Sequence, residues 1–506
     1  MEIIGLTNTF QTIAQTYPGR LFAKTLTGEL TFGELSGQAN AMARKLEVAG
    51  AKRGDKVVVM MRNSPASLAM VHGILRAGMV WVPTNPLLVG DALVHAVTLV
   101  EAAIIVCDHE CIPAIEAAGV KTPLGRIVFN DNTAPEPLDL QWDDADPTPD
   151  DLAALMFTSG TTGPSKAVMV SHRMLELAAH AVARCADLRA GDDLYMWEPF
   201  YHIGGAQVIM LPILYEVTLT LRDRFSASSF WSDVSEAGCT HIHHLGGIVQ
   251  ILLKQPVIEA ETAHNVRIAW GGGCAADAWR PFEERFGVEL RECYGMTEAS
   301  SLTTYNNERI VGAVGKAMPW FTVEIKAEDG EILGPDEGRG EIIVNTSLPG
   351  AIFAGYYRNL KATAEALQAD GFHTGDLGSW GADGLLRFHG RKGDSIRVRG
   401  ENVSSYEVES VANRHPSVEE SAMIGVPAEI GEYDILLYIR PRAGIKLNFT
   451  ELHDWMASQL APHQRPRFYT LVTDFIKTPS QRIQKHRLSC QPVPLWEAPK
   501  VLRKTK

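Results

Sequence analysis

Cysteine is scarce and shows no pairing pattern. The 506-residue chain has seven (Cys107, Cys111, Cys185, Cys239, Cys274, Cys293 and Cys490), and no Cys-x-x-Cys occurs. An odd number at irregular spacing excludes a disulfide framework and points to free thiols in a reducing compartment. Long apolar runs are also missing, since none approaches the roughly 20 residues needed to span a bilayer. No charged-then-apolar leader opens the chain, so the expectation is a cytoplasmic protein with no membrane partner. Positive charge is in deficit: the formal net charge of −13 argues against a general nucleic-acid binder. The basic stretch from Lys500 to Lys506 reads as a solvated tail. Internal repeats and low-complexity segments are absent.

What is present is an ordinary globular composition, 45% apolar and 21% charged, over a length that implies two or more domains. The N-terminal part alternates helix and strand signals. Thr31-Phe-Gly-Glu34 is a capping box followed by Leu35, Ala39, Ala43 and Leu46 at helical spacing, and Gly50 ends that helix. Lys56–Met61 reads as a buried strand, Pro65–Ala77 as a helix and Val80–Pro83 as a strand. After residue 170, Ser171 is the expected N-cap of a helix running to Leu188. Strands separated by helices of this length imply a parallel sheet with helices on both faces.

From about 312 to 390 short β-rich runs, Thr322–Lys326 and Glu341–Val344, alternate with Asp-Gly turns at 329–330 and 383–384, as in an antiparallel sheet or barrel. Beyond the charged joint Arg391-Lys-Gly-Asp394 the chain reads as a small α+β domain. Its expected elements are a strand over Ile396–Val403, a capping box Ser404-Ser-Tyr-Glu407 and strands at Ala422–Val426 and Ile435–Ile439. A helix follows, with Leu452, Trp455, Met456 and Leu460 on its apolar face.

The stretch with chemistry of its own is Thr158-Ser-Gly-Thr-Thr-Gly-Pro-Ser-Lys166, set between apolar runs at Leu152–Phe157 and Ala167–Val170. Short hydroxyls, a backbone made pliable by Gly160 and Gly163, and one cation suit an anion-binding loop. A Ser/Thr/Gly-rich surface hairpin is the plainer reading of the same composition. A nucleotide P-loop does not fit: Ala167 rather than Ser or Thr follows the lysine, and a strand rather than a helix is expected next.

Further motifs follow in order: Pro199-Phe-Tyr-His202-Ile-Gly-Gly205, Trp270-Gly271-Gly272-Gly273, Tyr294-Gly295-Met-Thr297-Glu298, His373-Thr-Gly-Asp376, Gly390-Arg391 and Val398-Arg399-Gly400-Glu-Asn-Val403. Together with the loop they resemble the adenylate-forming superfamily, the AMP-binding enzymes that include acyl-CoA synthetases. The resemblance runs from the first helix to about residue 487. Val398–Val403 with the tail Thr478-Pro-Ser-Gln-Arg-Ile-Gln-Lys485 is similar to the carnitine/crotonobetaine-type CoA ligases. The resemblance implies an α/β fold, with residues 1–391 forming two doubly wound sheets plus a β-barrel-like unit and residues 392–506 a mobile α+β lid. It also implies an ATP-dependent acid–thiol ligase using ATP, Mg²⁺ and CoA, which makes an acyl-adenylate and passes the acyl group to CoA or an acyl-carrier protein. A homodimer is the family's implied assembly.

The resemblance also assigns roles. Thr158, Ser159, Gly160, Thr161, Thr162, Gly163 and Lys166 belong to the phosphate loop. His202, His243, Trp270 and Gly271 border the acyl pocket, and Gly271, Gly272 and Gly273 lie along the adenine. Tyr294 stacks on that ring beside Gly295, Thr297 meets the α-phosphate, and Glu298 with Thr161 holds Mg²⁺. Asp376 takes the ribose hydroxyls, Arg391 supports ribose and phosphate, and Arg399 and Gly400 line the pantetheine path. These roles suit an aromatic face, a hydroxyl donor and hard carboxylate ligands.

Three departures stand out. The phosphate loop ends Gly-Pro-Ser-Lys-Ala, with its proline and lysine shifted apart, and the hinge position is Gly393. Where the family carries a catalytic lysine that bridges carboxylate and α-phosphate, this chain has Arg482, with Lys485 three residues on. Arginine keeps the charge in a planar fork rather than as a point charge on a flexible stem. Loss of a transition-state cation costs ~10²–10³ in rate, so a weakly active AMP-binding homologue is the alternative. In His241-Ile-His243-His244 alternation puts His241 and His243 on one strand face, and the run reads as core or pocket histidines rather than a metal site.

Overall fold

A computed structural model describes residues 3–26, 28–129, 135–139, 146–158, 165–392, 395–398, 401–428, 433–460, 462–477, 483–492 and 495–499. It is built on two large, mainly parallel sheets. One has six strands in the order 126–129, 104–108, 56–60, 80–83, 152–158, 166–171, with only the last pair antiparallel. Val57, Val58, Val59 and Met60 are all buried, as expected of a strand covered on both faces. The other has nine strands, ordered 316–317, 301–306, 289–296, 268–272, 241–245, 193–196, 218–221, 21–25, 28–31. Its central six run parallel and its edges antiparallel.

Helix starts follow side-chain chemistry. Thr31 and Glu34 form the expected reciprocal capping box. Ser64 and Ser67 form a second one ahead of Pro65, which the sequence reading did not identify because a serine stands in the usual Glu/Gln position. Ser171 caps the helix His172–Cys185 through the Met174 N–H. That helix stops short of Leu188, since Asp187 takes a left-handed φ of 48° that no helix continues through.

The barrel-like unit is a six-stranded antiparallel sheet, 332–333, 321–326, 340–346, 371–380, 367–368, with 386–391 also paired to 371–380. The C-terminal part has a four-stranded sheet (418–427, 433–441, 468–471, 496–497) packed by the helices Ser405–Arg414 and Phe449–Gln459. The single strand expected over Ile396–Val403 is instead a hairpin of Ser395–Val398 against Glu401–Ser404, with Ile396 opposite Val403. Four residues on each side satisfy one another's backbone groups, which one extended strand at that position would leave to other partners. Glu407 of the expected capping box accepts from Arg339 and from Gln464 Nε2 at 2.7 Å.

Candidate active site

In open parallel sheets ligands bind beyond the carboxyl ends of the strands, and the motifs cluster there. Strands 241–245, 268–272 and 289–296 lie side by side in parallel, with His244 opposite Gly271 and Gly271 opposite Glu292. Their carboxyl ends therefore bring His243, Gly271–Gly273 and Tyr294–Glu298 into one row. The expected phosphate loop leaves the other sheet at Thr158 and rejoins it at Lys166, two residues that face each other in the antiparallel register. Thr158 Oγ1 donates to Lys166 O at 3.4 Å, and His95 Nε2 donates to Ser165 O at 2.8 Å. Ser159, Gly160, Thr161, Thr162 and Gly163 lie outside the described residues, as do Arg399, Gly400, the hinge Gly393 and Arg482.

The glycines are required first by neighbouring backbone. A Cβ on Gly271 would sit 1.8 Å from His244 O, one on Gly272 3.0 Å from Cys293 O, and one on Gly295 1.7 Å from Ser301 O. Gly273 adopts φ 86°. The glycines expected to lie along the adenine thus have a packing cause of their own: adjacent strands press against them.

Tyr294 and Asp376 are brought together from 82 residues apart, with Tyr294 Oη donating to Asp376 Oδ2 at 2.8 Å. Arg391 Nε lies 3.3 Å from Asp376 Oδ1. Asp376 is buried, and burial beside that carboxylate raises the Tyr294 phenol well above its ordinary range. Glu298 is buried too; its Oε1 accepts from Tyr356 Oη at 2.8 Å, and Lys166 Nζ stands 4.5 Å from the centroid of the Tyr356 ring. Thr297 opens the short turn that carries Glu298, which is followed by two left-handed serines, Ser300 at φ 48° and Ser301 at φ 69°.

Of the residues expected to border the acyl pocket, His202 is the N-cap residue of helix Ile203–Val208, its ring tilted on Tyr201. His243 is sandwiched between Trp197 and Trp270, whose rings lie 6.0 and 4.1 Å from its own. Trp270 is 1% exposed, so it backs His243 from the core side. Carboxylates far off in sequence reach these histidines: Glu198 Oε2 is 2.8 Å from His243 Nδ1, and Asp192 Oδ2 is 3.9 Å from His241 Nδ1. His241 Nε2 donates to Ala186 O, an ordinary core arrangement.

Several side chains at this site were missed in the sequence. Tyr356 carried no signal beyond its glycine neighbour. Glu198 is visible only as a lone carboxylate among aromatics ahead of Pro199. Glu292 accepts from the Gly273 and Cys274 N–H groups at 2.5 and 3.1 Å. Complete burial pushes its carboxyl up to about 8. Lys485, by contrast, is held within the C-terminal part, its Nζ 2.6 Å from Ser405 Oγ and 2.7 Å from Glu409 Oε1.

The family model described as "AMP-binding enzyme" matches residues 10–357, and that of the AMP-binding enzyme C-terminal domain matches residues 407–482. The chain belongs to the AMP-binding enzymes. Among relatives of this AMP-binding enzyme is the sulfoacetate–CoA ligase of Cupriavidus necator, 30% identical over 91% of this chain and 92% of that one. The crotonobetaine/carnitine–CoA ligase of Salmonella paratyphi A is 28% identical over 91% and 93%. Among solved structures, ATP-bound MatB from Rhodopseudomonas palustris superposes with a TM-score of 0.84 at 27% identity, covering 96% of this chain and 98% of that one. Among the described residues, no helix is long and apolar enough to cross a membrane.

Proposed function

We infer that this AMP-binding enzyme is an ATP-dependent acid–CoA ligase, and the observation that carries the reading is the Tyr294–Asp376–Arg391 cluster beside Glu298. An acceptor-only carboxylate, a donor-only guanidinium and an aromatic face make a nucleoside site. Glu298, a hard oxygen donor beside the phosphate loop, fits a Mg²⁺ ion, which when bound neutralises phosphate charge. In the first step a substrate carboxylate oxygen bonds to the α-phosphorus of ATP and the bond to the β-phosphate oxygen breaks, releasing pyrophosphate. In the second, the CoA thiol loses its proton and its sulfur bonds to the acyl carbon, while the acyl–oxygen bond breaks and AMP leaves. The chain contributes position and charge: Asp376 and Arg391 hold the ribose, Thr158 and Lys166 flank the phosphates, and Thr297 faces the α-phosphate.

The same reading sets His202, His243 and Gly271 around the carboxylate, with Trp270 behind them, and begins the lid at residue 392. Arg482 takes the catalytic-lysine position, because Lys485 is already bound by Ser405 and Glu409. No single acid is chosen, since relatives of similar identity include both a sulfoacetate–CoA ligase and a medium/long-chain-fatty-acid–CoA ligase. Pyrophosphate exchange across a panel of carboxylic acids is the test. Exchange with one acid should be lost in Arg482→Ala and largely kept in Lys485→Ala. Product should appear with CoA alone; product only with an acyl-carrier protein would transfer the reading to carrier loading. No exchange in a folded protein that binds ATP would point to a degenerate nucleotide binder.

A further inference from the structure

The segment Ala351–Tyr357 is tied at both ends to the two charged parts of the site. On one side, Tyr357 N donates to Ala167 O at 2.8 Å, Met169 N donates to Gly355 O at 3.2 Å, and Tyr356 bridges Val168. These are the residues that lead directly away from Lys166. On the other, Phe353 N donates to Glu298 O at 2.9 Å and Ser300 Oγ donates to Ala351 O at 2.6 Å. One seven-residue segment therefore fixes the exit of the phosphate loop relative to the turn that bears Glu298.

Tyr356 completes this link with its side chain. Its hydroxyl donates to Glu298 Oε1 at 2.8 Å, and its ring carries Lys166 Nζ 4.5 Å from the centroid. The ring is 7% exposed and packs edge-on against Phe353 at 4.9 Å, and its backbone N–H is held by Thr363 Oγ1 at 2.9 Å. A phenol anchored this way can neither rotate away from the carboxylate nor let the ammonium settle elsewhere on its face.

We propose that Tyr356 is a positioning residue that sets the Glu298 carboxylate and the Lys166 cation in one geometry, so that metal-side and lysine-side charge meet the same phosphate chain. This rests on the reading of Glu298 as the Mg²⁺ ligand. The hydroxyl orients the carboxylate plane for the metal, and the ring face places the ammonium by cation–π attraction. A residue that merely filled space would affect stability and all nucleotides alike.

Full-length Tyr356→Phe, Tyr356→Leu and Glu298→Gln variants, each checked by thermal melting, distinguish these roles. Calorimetric titration would measure ATP binding against Mg²⁺ concentration, and AMP binding without metal. Tyr356→Phe keeps the ring and loses only the hydroxyl, so half-maximal ATP binding should need about 10- to 150-fold more Mg²⁺, the range for one hydrogen bond to a charged group. Its AMP affinity should stay within about twofold, and Tyr356→Leu should add a roughly threefold loss of metal-free ATP binding as Lys166 loses its ring. A wild-type Mg²⁺ dependence in Tyr356→Phe, with a raised requirement in Glu298→Gln, would overturn the proposal and leave the metal reading standing. No change in Glu298→Gln would remove the metal reading and the proposal together. Equal losses of AMP and Mg²⁺–ATP binding in Tyr356→Phe would make Tyr356 a packing residue and also overturn it.

Discussion

Glu292 is a carboxyl group with no cation beside it among the described residues, buried under the turn that follows the glycine run. Its oxygens accept from Gly273 and Cys274 N–H, but these bonds do not offset the loss of water, and its pKa rises from 4.5 to about 8. The folded protein therefore holds this proton more tightly than the unfolded chain does. Stability from this group is complete below about pH 4.5 and is lost as pH rises toward 8, by about 1.4 kcal/mol per pH unit within that window. Glu292→Gln keeps an acceptor for both N–H groups and removes the titration. Melting temperatures at pH 5, 7 and 9 should show the wild type falling progressively below the variant. Parallel curves would mean that Glu292 is ionised in the fold. At this scale Tyr294-Gly-Met-Thr-Glu298 was legible because the residues that act together are adjacent in sequence. Glu292 was not, because its role depends on burial between strands rather than on its neighbours in the chain.

At the scale of elements, the site is a set of strand ends held in tight register. Gly271 sits where the next strand's His244 carbonyl leaves 1.8 Å for a Cβ, and both partners are backbone. Gly271→Ala therefore requires two parallel strands to separate and should cost about 3 kcal/mol or more, the upper range for overpacking. A urea midpoint lowered accordingly, with ATP binding weakened in the surviving folded fraction, is the expected result; a midpoint near wild type would mean the strands yield easily. The parallel runs, the capping box at Thr31 and the Ser171 cap were readable from local pattern. The hairpin at 395–404 was misread as one strand, since alternating residues look the same on either side of a turn.

For the whole molecule, the C-terminal part meets the body through Tyr406, whose ring lies 6.2 Å from Phe388, itself 5.6 Å from Tyr294. Lys254 and Glu419 form an ion pair across the same divide at 2.9 Å, but both are partly exposed and contribute little. On the proposed reading of residues 392–506 as a mobile lid, the aromatic contact, at about 0.5–1.5 kcal/mol, is enough to change the balance between two lid positions roughly 2- to 12-fold. Tyr406→Ala should therefore change the ratio of thioester formation to pyrophosphate exchange by a factor in that range, read in single-turnover assays of each step. Equal slowing of both would disconnect this contact from lid position.

Read alone, the chain was enough to determine the α/β class, the order of the motifs and the family, because those depend on local periodicity and on short strings whose chemistry is contiguous. Tertiary structure alone decided which groups face one another. It brought Glu198 to His243, and it gave the site glycines a packing cause. It also bound Lys485 to Ser405 and Glu409, and laid Tyr356 between Lys166 and Glu298. The physical reason is range: propensity and patterning act over a few residues, whereas the hydrogen bonds and ring contacts that shape this site join positions tens to hundreds of residues apart.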